Sequence, residues 1–166
     1  MKNTLNQLKK STEAFAAAMD EMDAKIIKLD KKIKNIREEL APVESNVLDL
    51  ADRLRETEHE LHRKLAKAKR TRKLYLQAQT DREAETLERD YDRLMKEVNK
   101  LDKTYAKLKE TYAELTKKEE ALLENEMELE NKKAQLYREK EKWMQEAAQA
   151  VEKLSSKISR SRRVRG

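Results

Sequence analysis

Apolar residues recur every seven positions between residues 5 and 61, and this repeat limits the possible fold more than any other feature of the chain. Two sets of positions, a and d of a heptad, carry the repeat; fifteen of the seventeen are apolar and the other two are Thr. A 3.5-residue period kept over this length puts a narrow apolar stripe on one helix face and drives left-handed supercoiling. The repeat therefore predicts a coiled coil, with the stripe (the apolar seam) buried against another helix.

The composition points to the same fold class. The chain has one Gly, its last residue, and one Pro, while 43% of residues are charged and 4% are aromatic. Turns depend on Gly, Pro and Asn, and the remaining residues are mostly strong helix formers. We therefore expect an all-α protein, an extended coiled coil dominated by long helix.

Several classes of site and segment are not predicted. The chain has no cysteine, which excludes disulfides and thiolate metal sites. His59 and His62 share a helical face without further ligands, so we predict no metal site and no cofactor. Neither a secretion signal nor a membrane-length apolar run is evident, and we expect a cytoplasmic location.

A second heptad repeat covers the later part of the chain. Its d positions are Leu at every seventh residue from Leu87 to Leu136, followed by Trp143. Four successive a positions are charged: Glu119, Glu126, Lys133 and Lys140. In a parallel, in-register homodimer each of these charges would face its own copy, which costs stability. This pattern favours an antiparallel, staggered or heteromeric pairing.

The two repeats are out of phase, and the phase changes between Leu65 and Leu87. Apolar residues spaced by eleven across this region, with Leu76 midway, let a single helix run through. Pro42 lies at an outward c position, where it would kink the helix without reversing the chain. We therefore expect one long kinked helix of about 250 Å.

The alternative is an antiparallel two-helix hairpin with its turn near residues 77–82. Thr80 followed by Glu83 fits a capping box at the start of a new helix. A hairpin would also set the basic residues of 25–37 opposite the acidic run 119–130. Against it stands the absence of Gly, Pro and Asn at the turn.

The net charge of +6 is concentrated in a basic tail. From residue 153 onward there are six basic residues and no acidic ones, so the rest of the chain is neutral. We predict that this tail binds an acidic surface. Its basic residues are Lys153, Lys157, Arg160, Arg162, Arg163 and Arg165. A second basic block, residues 61–80, also lacks acidic residues and is interpreted as a solvated face or a docking patch.

Four segments follow from these patterns. They are an N-terminal heptad tract (1–64), a basic phase-change region or hinge (65–86), a C-terminal heptad tract (87–152) and the basic tail (153–166). The predicted partner-binding seam comprises Leu5, Leu8, Phe15, Met19, Met22, Ile26, Leu29, Ile33, Ile36, Leu40, Leu87, Tyr91, Leu94, Tyr105, Tyr112 and Trp143.

These features predict a structural, non-enzymatic scaffold subunit of a large intracellular assembly. We expect a cytoskeletal role, such as a microtubule-associated protein or an axoneme component of a cilium, with other coiled-coil chains and tubulin or another acidic filament as partners. One alternative is a nucleic-acid or chromosome-associated tether. Another is a helical adaptor or chaperone of a secretion or trafficking machine, whose hairpin grips a partner helix.

Overall fold

The computed structural model describes the backbone of residues 2–165 and the side chains of residues 3–162. It contains two helices, α1 (Lys2–Leu76, 75 residues) and α2 (Asp81–Arg165, 85 residues). No strand occurs among residues 2–165. The chain is therefore all-α, as the composition predicts.

The prediction of one continuous helix is wrong, because α1 ends at Leu76. The N–H groups of Gln77 and Ala78 donate to the carbonyls three residues earlier, those of Leu74 and Tyr75, at 3.1 and 3.2 Å. Such bonds tighten the last turn of a helix and satisfy its final carbonyls. Leu76 is 76% exposed, so it does not continue a seam as the eleven-residue spacing implied.

Thr80 starts the second helix. Its Oγ1 accepts a hydrogen bond from the Glu83 N–H at 3.2 Å, and its carbonyl accepts one from the Ala84 N–H at 3.1 Å. A threonine that satisfies an otherwise unpaired N–H is an N-cap, and acidic Asp81 and Glu83 suit the positive end of the helix dipole. The break thus lies where the hairpin alternative placed its turn.

The turn at residues 77–80 needs no glycine. Among the described residues none has a positive φ. Any residue can adopt a backbone conformation with negative φ. Gln77, Ala78 and Gln79 therefore form the turn without the left-handed conformation that favours Gly. This is why the composition did not reveal the turn.

Pro42 lies inside α1 and does not begin a new helix. Its side chain is exposed, in agreement with the outward position predicted for it, whereas the next residue, Val43, is buried. The proline lacks the N–H that would pair with the Glu38 carbonyl. The helix nevertheless continues through Pro42 to Leu76.

The chain forms two compact units. Unit 1 consists of Met1–Glu38 and Leu123–Gly166, and unit 2 of Glu39–Leu122. In unit 1, Asp23 contacts Lys140 and Arg37 contacts Glu126, so later residues of α1 meet earlier residues of α2. This order defines an antiparallel helix pair. In unit 2 the turn separates two helical segments, and Lys64 on the first meets Glu97 on the second.

Each unit has a thin core made of seam residues. The buried apolar residues of unit 1 are Ile26, Ile33 and Leu129. Those of unit 2 are Leu40, Val43, Ala68, Leu94 and Val98. In a pair of helices each seam packs against only one other helix. Most other seam residues therefore stay half-buried. Stability in such a core depends on few side chains, each of which contributes about 1.5–3 kcal/mol when fully buried.

Replacing Ile33 by Ala should lower the free energy of unfolding by about 2–3 kcal/mol, because Ile33 is 4% exposed and its loss leaves a cavity. Ile27→Ala is the matched control, since Ile27 lies on the same helix and is 66% exposed. The control should change stability by less than about 0.5 kcal/mol. Urea unfolding followed by circular dichroism measures both values. Equal losses for the two variants would contradict the assigned seam.

Candidate functional site

A series of ion pairs, spaced by one heptad, joins the two helices of unit 1. On α1 the participants follow the d positions of the seam, and on α2 they occupy its charged a positions. The α1 members are Asp23, Asp30 and Arg37, and the α2 members are Lys140, Lys133 and Glu126. We refer to these pairs as the ion-pair series.

The two lysine pairs are short. Lys140 Nζ donates to Asp23 Oδ1 at 2.7 Å, and Lys133 Nζ lies 2.6 Å from Asp30 Oδ1. The lysine side chains are about three-quarters covered, whereas the aspartates are about half exposed. Each lysine stem therefore packs on the seam while its ammonium reaches the wetter edge.

Arg37 connects α1 to two glutamates of α2. Its Nε donates to Glu126 Oε1 at 3.2 Å and its Nη2 donates to Glu130 Oε1 at 3.0 Å. The guanidinium group presents several donors in a fixed plane, so it can hold two carboxylates at once. This contact agrees with the hairpin alternative, which set basic residues near Arg37 opposite the acidic run of α2.

The aspartates change the titration of their lysine partners. Hydrogen bonds from Lys133 to Asp30 and from Lys140 to Asp23 raise the pKa of each lysine above its ordinary value. The Lys133 ammonium also lies 5.9 Å from the centre of the Tyr137 ring. A cation over an aromatic face is attracted to the ring. Both lysines therefore stay charged at neutral pH although they lie in a seam.

A related ion pair occurs in unit 2. Lys64 Nζ lies 3.0 Å from Glu97 Oε2 on the facing helix and 3.6 Å from Glu60 Oε1 on its own helix. The hydrogen bond from Lys64 lowers the pKa of Glu97, and the same bond raises the pKa of Lys64. Glu119, the fourth charged a position, is half-buried in unit 2 and forms no ion pair with any side chain of residues 3–162.

The signs within the series select one register. α1 supplies the acid in the first two pairs and the base in the third. A slip of one heptad in one direction would bring Asp30 beside Glu126, and a slip in the other direction would bring Arg37 beside Lys133. Like charges at such positions are destabilising, so each shifted register is disfavoured. An apolar seam alone would tolerate either slip, because every heptad of it is similar.

The structure divides the predicted seam residues into three groups. Leu5, Leu8 and Trp143 are exposed. Ile26, Ile33, Leu40 and Leu94 are buried. Half-buried are Phe15, Met19, Met22, Leu29, Ile36, Leu87, Tyr91, Tyr105 and Tyr112. In both units the covering helix belongs to the same chain, so binding of a partner by these residues stays a prediction.

An apolar groove lies in unit 1, between residues 4–15 of α1 and residues 143–154 of α2. We call it the end groove. Its volume is about 570 Å³. Its apolar lining residues are Leu8, Phe15, Trp143, Ala147, Ala150, Val151 and Leu154. Trp143 is 43% exposed although it occupies a d position of the heptad, so the seam is incompletely covered here.

The basic tail lies at the end of α2. The side chains of Lys153, Lys157, Arg160 and Arg162 are exposed, and those of Arg163 and Arg165 lie outside the described residues. Exposure leaves the four described cations accessible to an acidic surface. Contact with such a surface stays a prediction.

Sequence reasoning missed three large apolar side chains at the end of α1. Leu74, Tyr75 and Leu76, which we call the tip cluster, are all exposed and directly precede the turn. Sequence reasoning also missed Asp23 and Asp30, although their seven-residue spacing matches that of Lys133 and Lys140 with opposite charge. That match was the signal that could have identified the ion-pair series.

Metal sites, membrane-spanning segments and relatives among known proteins are all without a positive finding in the described part of the chain. Among the described residues, no group of three or more His, Asp or Glu side chains could hold a metal ion. Within residues 2–165 neither helix has a segment long and apolar enough to cross a membrane. Comparison with known proteins gave no match to a protein-family model and no significant match to a curated protein or a solved structure.

Reversing one charge of the series should destabilise the helix pair, and reversing both partners should restore it. We expect Asp30→Lys and Lys133→Glu each to lower the unfolding midpoint, since each creates a like-charge contact at a half-covered position. The double variant should recover most of the loss. A double-mutant cycle measured by urea unfolding gives the coupling. Additive losses in the double variant would rule out a direct pair.

Removing the Lys64 ammonium should raise the pKa of Glu97 towards its ordinary value. The folded pKa of Glu97 is lowered, so its contribution to stability is present above the ordinary glutamate pKa and is lost as pH falls through the folded value. We expect Lys64→Met to raise the pKa and Lys64→Arg to keep it low. NMR titration of the Glu97 carboxyl carbon measures the shift. An unchanged pKa in Lys64→Met would show that another group causes it.

Proposed function

We propose that this chain is a non-catalytic helical adaptor, built from antiparallel coiled-coil pairing in each unit, which holds an amphipathic helix of a partner protein in the end groove. The observation that carries the proposal is the exposure of seam residues at this groove. The same heptad positions are covered by the chain itself around Ile26, Ile33 and Leu129. This proposal develops the helical-adaptor alternative rather than the cytoskeletal scaffold.

The pairing within unit 1 supports an adaptor over a subunit of a larger coil. Between residues 23 and 37 the α1 seam is covered by α2, and the charged a positions of α2 find opposite charges on α1. A further coiled-coil chain would have to displace a helix that already satisfies both the apolar and the charged positions. Binding of a partner therefore concentrates where this coverage ends.

The lining of the end groove suits an inserted helix. Ala147 and Ala150 are small, so they leave depth between the bulkier Phe15 and Trp143. A helix that presents apolar residues at i, i+3, i+4 and i+7 can place them in such a groove. Aromatic residues often carry much of the binding energy of an interface, and Phe15 and Trp143 supply two of them in the groove lining.

The charges near the groove favour an acidic partner helix. Lys9 and Lys10 are next in sequence to groove-lining residues of α1, and Lys153 and Lys157 flank Leu154 on α2; all four are exposed. Glu13 and Glu152, which are also exposed, adjoin the groove-lining Thr12 and Val151. Glu146 is the one acidic residue that lines the groove. Opposite charges around an apolar contact speed association and fix orientation. We therefore expect a partner helix with an apolar face and flanking Glu or Asp residues.

Fluorescence of Trp143 tests the proposal directly, because this is the single tryptophan of the chain. The probe is a synthetic amphipathic helix with Leu at its heptad a and d positions and Glu on its flanks. Its binding should shift the Trp143 emission to shorter wavelength, because the indole leaves water. A peptide of the same pattern with Lys in place of Glu should bind less tightly.

Paired variants locate the binding site. Leu8→Lys with Val151→Lys should weaken binding of the acidic peptide by about tenfold or more, since both put a charge into an apolar contact. Ile27→Lys is the control, because Ile27 is exposed in unit 1 but does not line the groove. The absence of any emission shift would refute the proposal. So would light scattering that shows a dimer broken by the groove variants, since a second copy would then fill the groove.

A further inference from the structure

The end of α1 in unit 2 combines two features that lie together nowhere else in the described part of the chain. The tip cluster supplies three consecutive exposed large apolar side chains, Leu74, Tyr75 and Leu76. Lys69, Arg70, Arg72 and Lys73 immediately precede it and are also exposed. None of these four cations forms an ion pair with a side chain of residues 3–162. Neither feature is used by the end groove or by the ion-pair series.

The arrangement of the tip cluster is unsuited to a flat partner. Successive residues of an α-helix point about 100° apart, so three in a row span about 200° of the helix circumference. A docking helix or sheet can cover one face of α1 but not three directions at once. A deformable apolar medium can surround all three side chains. The interfacial region of a lipid bilayer is such a medium, and tyrosine is enriched there.

The basic residues next to the tip cluster favour lipids with negatively charged headgroups. Together with Arg82 on α2, the four cations place five positive charges within about two turns of the turn region, against three acidic residues, Asp81, Glu83 and Glu85, at the start of α2. Clusters of four or more Lys or Arg beside an apolar anchor bind anionic headgroups. A neutral bilayer would offer the apolar contact alone.

We propose that the tip cluster and the four cations before it form a peripheral docking site for anionic lipid headgroups, in which Leu74, Tyr75 and Leu76 enter the interfacial region of the bilayer. The helix does not cross the membrane. The apolar side chains insert into the interfacial region, and the basic side chains make the binding selective for negatively charged headgroups.

A reporter at the tip separates this site from the basic tail, which could also bind vesicles. In Tyr75→Trp combined with Trp143→Phe, the single indole lies in the tip cluster. Vesicles of phosphatidylcholine with phosphatidylserine should shift its emission to shorter wavelength, and brominated acyl chains should quench it. The partition coefficient for pure phosphatidylcholine vesicles should be lower by about tenfold or more. Added salt should reduce the binding to anionic vesicles.

Two matched sets of substitutions identify the source of binding. In the reporter, Leu74→Gln with Leu76→Gln should reduce the partition onto anionic vesicles by about tenfold or more. Leu48→Gln with Met127→Gln removes two equally exposed apolar residues elsewhere and should leave the partition unchanged. Replacing Lys69, Arg70, Arg72 and Lys73 by Gln should abolish the preference for phosphatidylserine.

Three results would overturn the proposal. One is sedimentation with anionic vesicles without any shift or quenching of the tip indole, which would assign binding to the tail. Another is equal quenching by neutral and anionic vesicles. The third is a comparable emission shift with polyglutamate or duplex DNA in the absence of vesicles, which would identify the tip as a site for an acidic protein or nucleic acid.

Discussion

The pairing of α1 with α2 depends on how the charged a positions of α2 are accommodated. A charge in a coiled-coil seam loses hydration, and the loss is tolerated only if an opposite charge lies within reach. Antiparallel pairing in unit 1 brings Lys133 and Lys140 beside aspartates at the seam edge, while their stems pack on apolar residues. The series also gives direction, because its signs reverse at Arg37. An apolar seam supplies attraction without register, and the charges supply register at some cost in stability.

This balance explains why the core is thin. Where α2 carries charge at a, the apolar contact with α1 rests mainly on the leucines at d, such as Leu129 and Leu136. Leu129 is buried, and Leu136 is half-buried. Each heptad of the ion-pair series therefore combines an apolar contact with an ion pair, where a conventional coil contributes two apolar layers. Such a pairing is specific for its own partner helix and poorly suited to a copy of itself in parallel register, in which Glu126 would face Glu126.

The sequence specified the helices and their seam more completely than their connection. The heptads from Leu5 and from Leu87 follow from side-chain period alone, and the Thr80–Glu83 capping signal was correctly placed. The turn was underestimated because it uses Gln and Ala with ordinary negative φ, so no Gly or Pro marks it. Leu76 also favoured the wrong prediction of a continuous helix, because the sequence does not distinguish an exposed leucine from a buried one. The partners of Lys133 and Lys140 could not be assigned until the turn fixed the register, because a heptad pattern is compatible with many registers.

Function could be predicted only in outline, for a related physical reason. A periodic seam shows that a helix is covered but not which helix covers it, and here the covering helix belongs to the same chain. The informative residues are therefore those that break the pattern: Trp143, a d residue that stays exposed, and Leu74–Leu76, apolar residues outside any seam. The cytoskeletal role rests on the length without turn residues, the two heptad tracts and the basic tail, and it stays a prediction. Tail charge cannot distinguish a filament from a nucleic acid or a lipid headgroup, because all three are polyanions. Apolar side chains beside a charge make that distinction, since a filament or nucleic acid offers them a fixed surface and a bilayer offers them a deformable one.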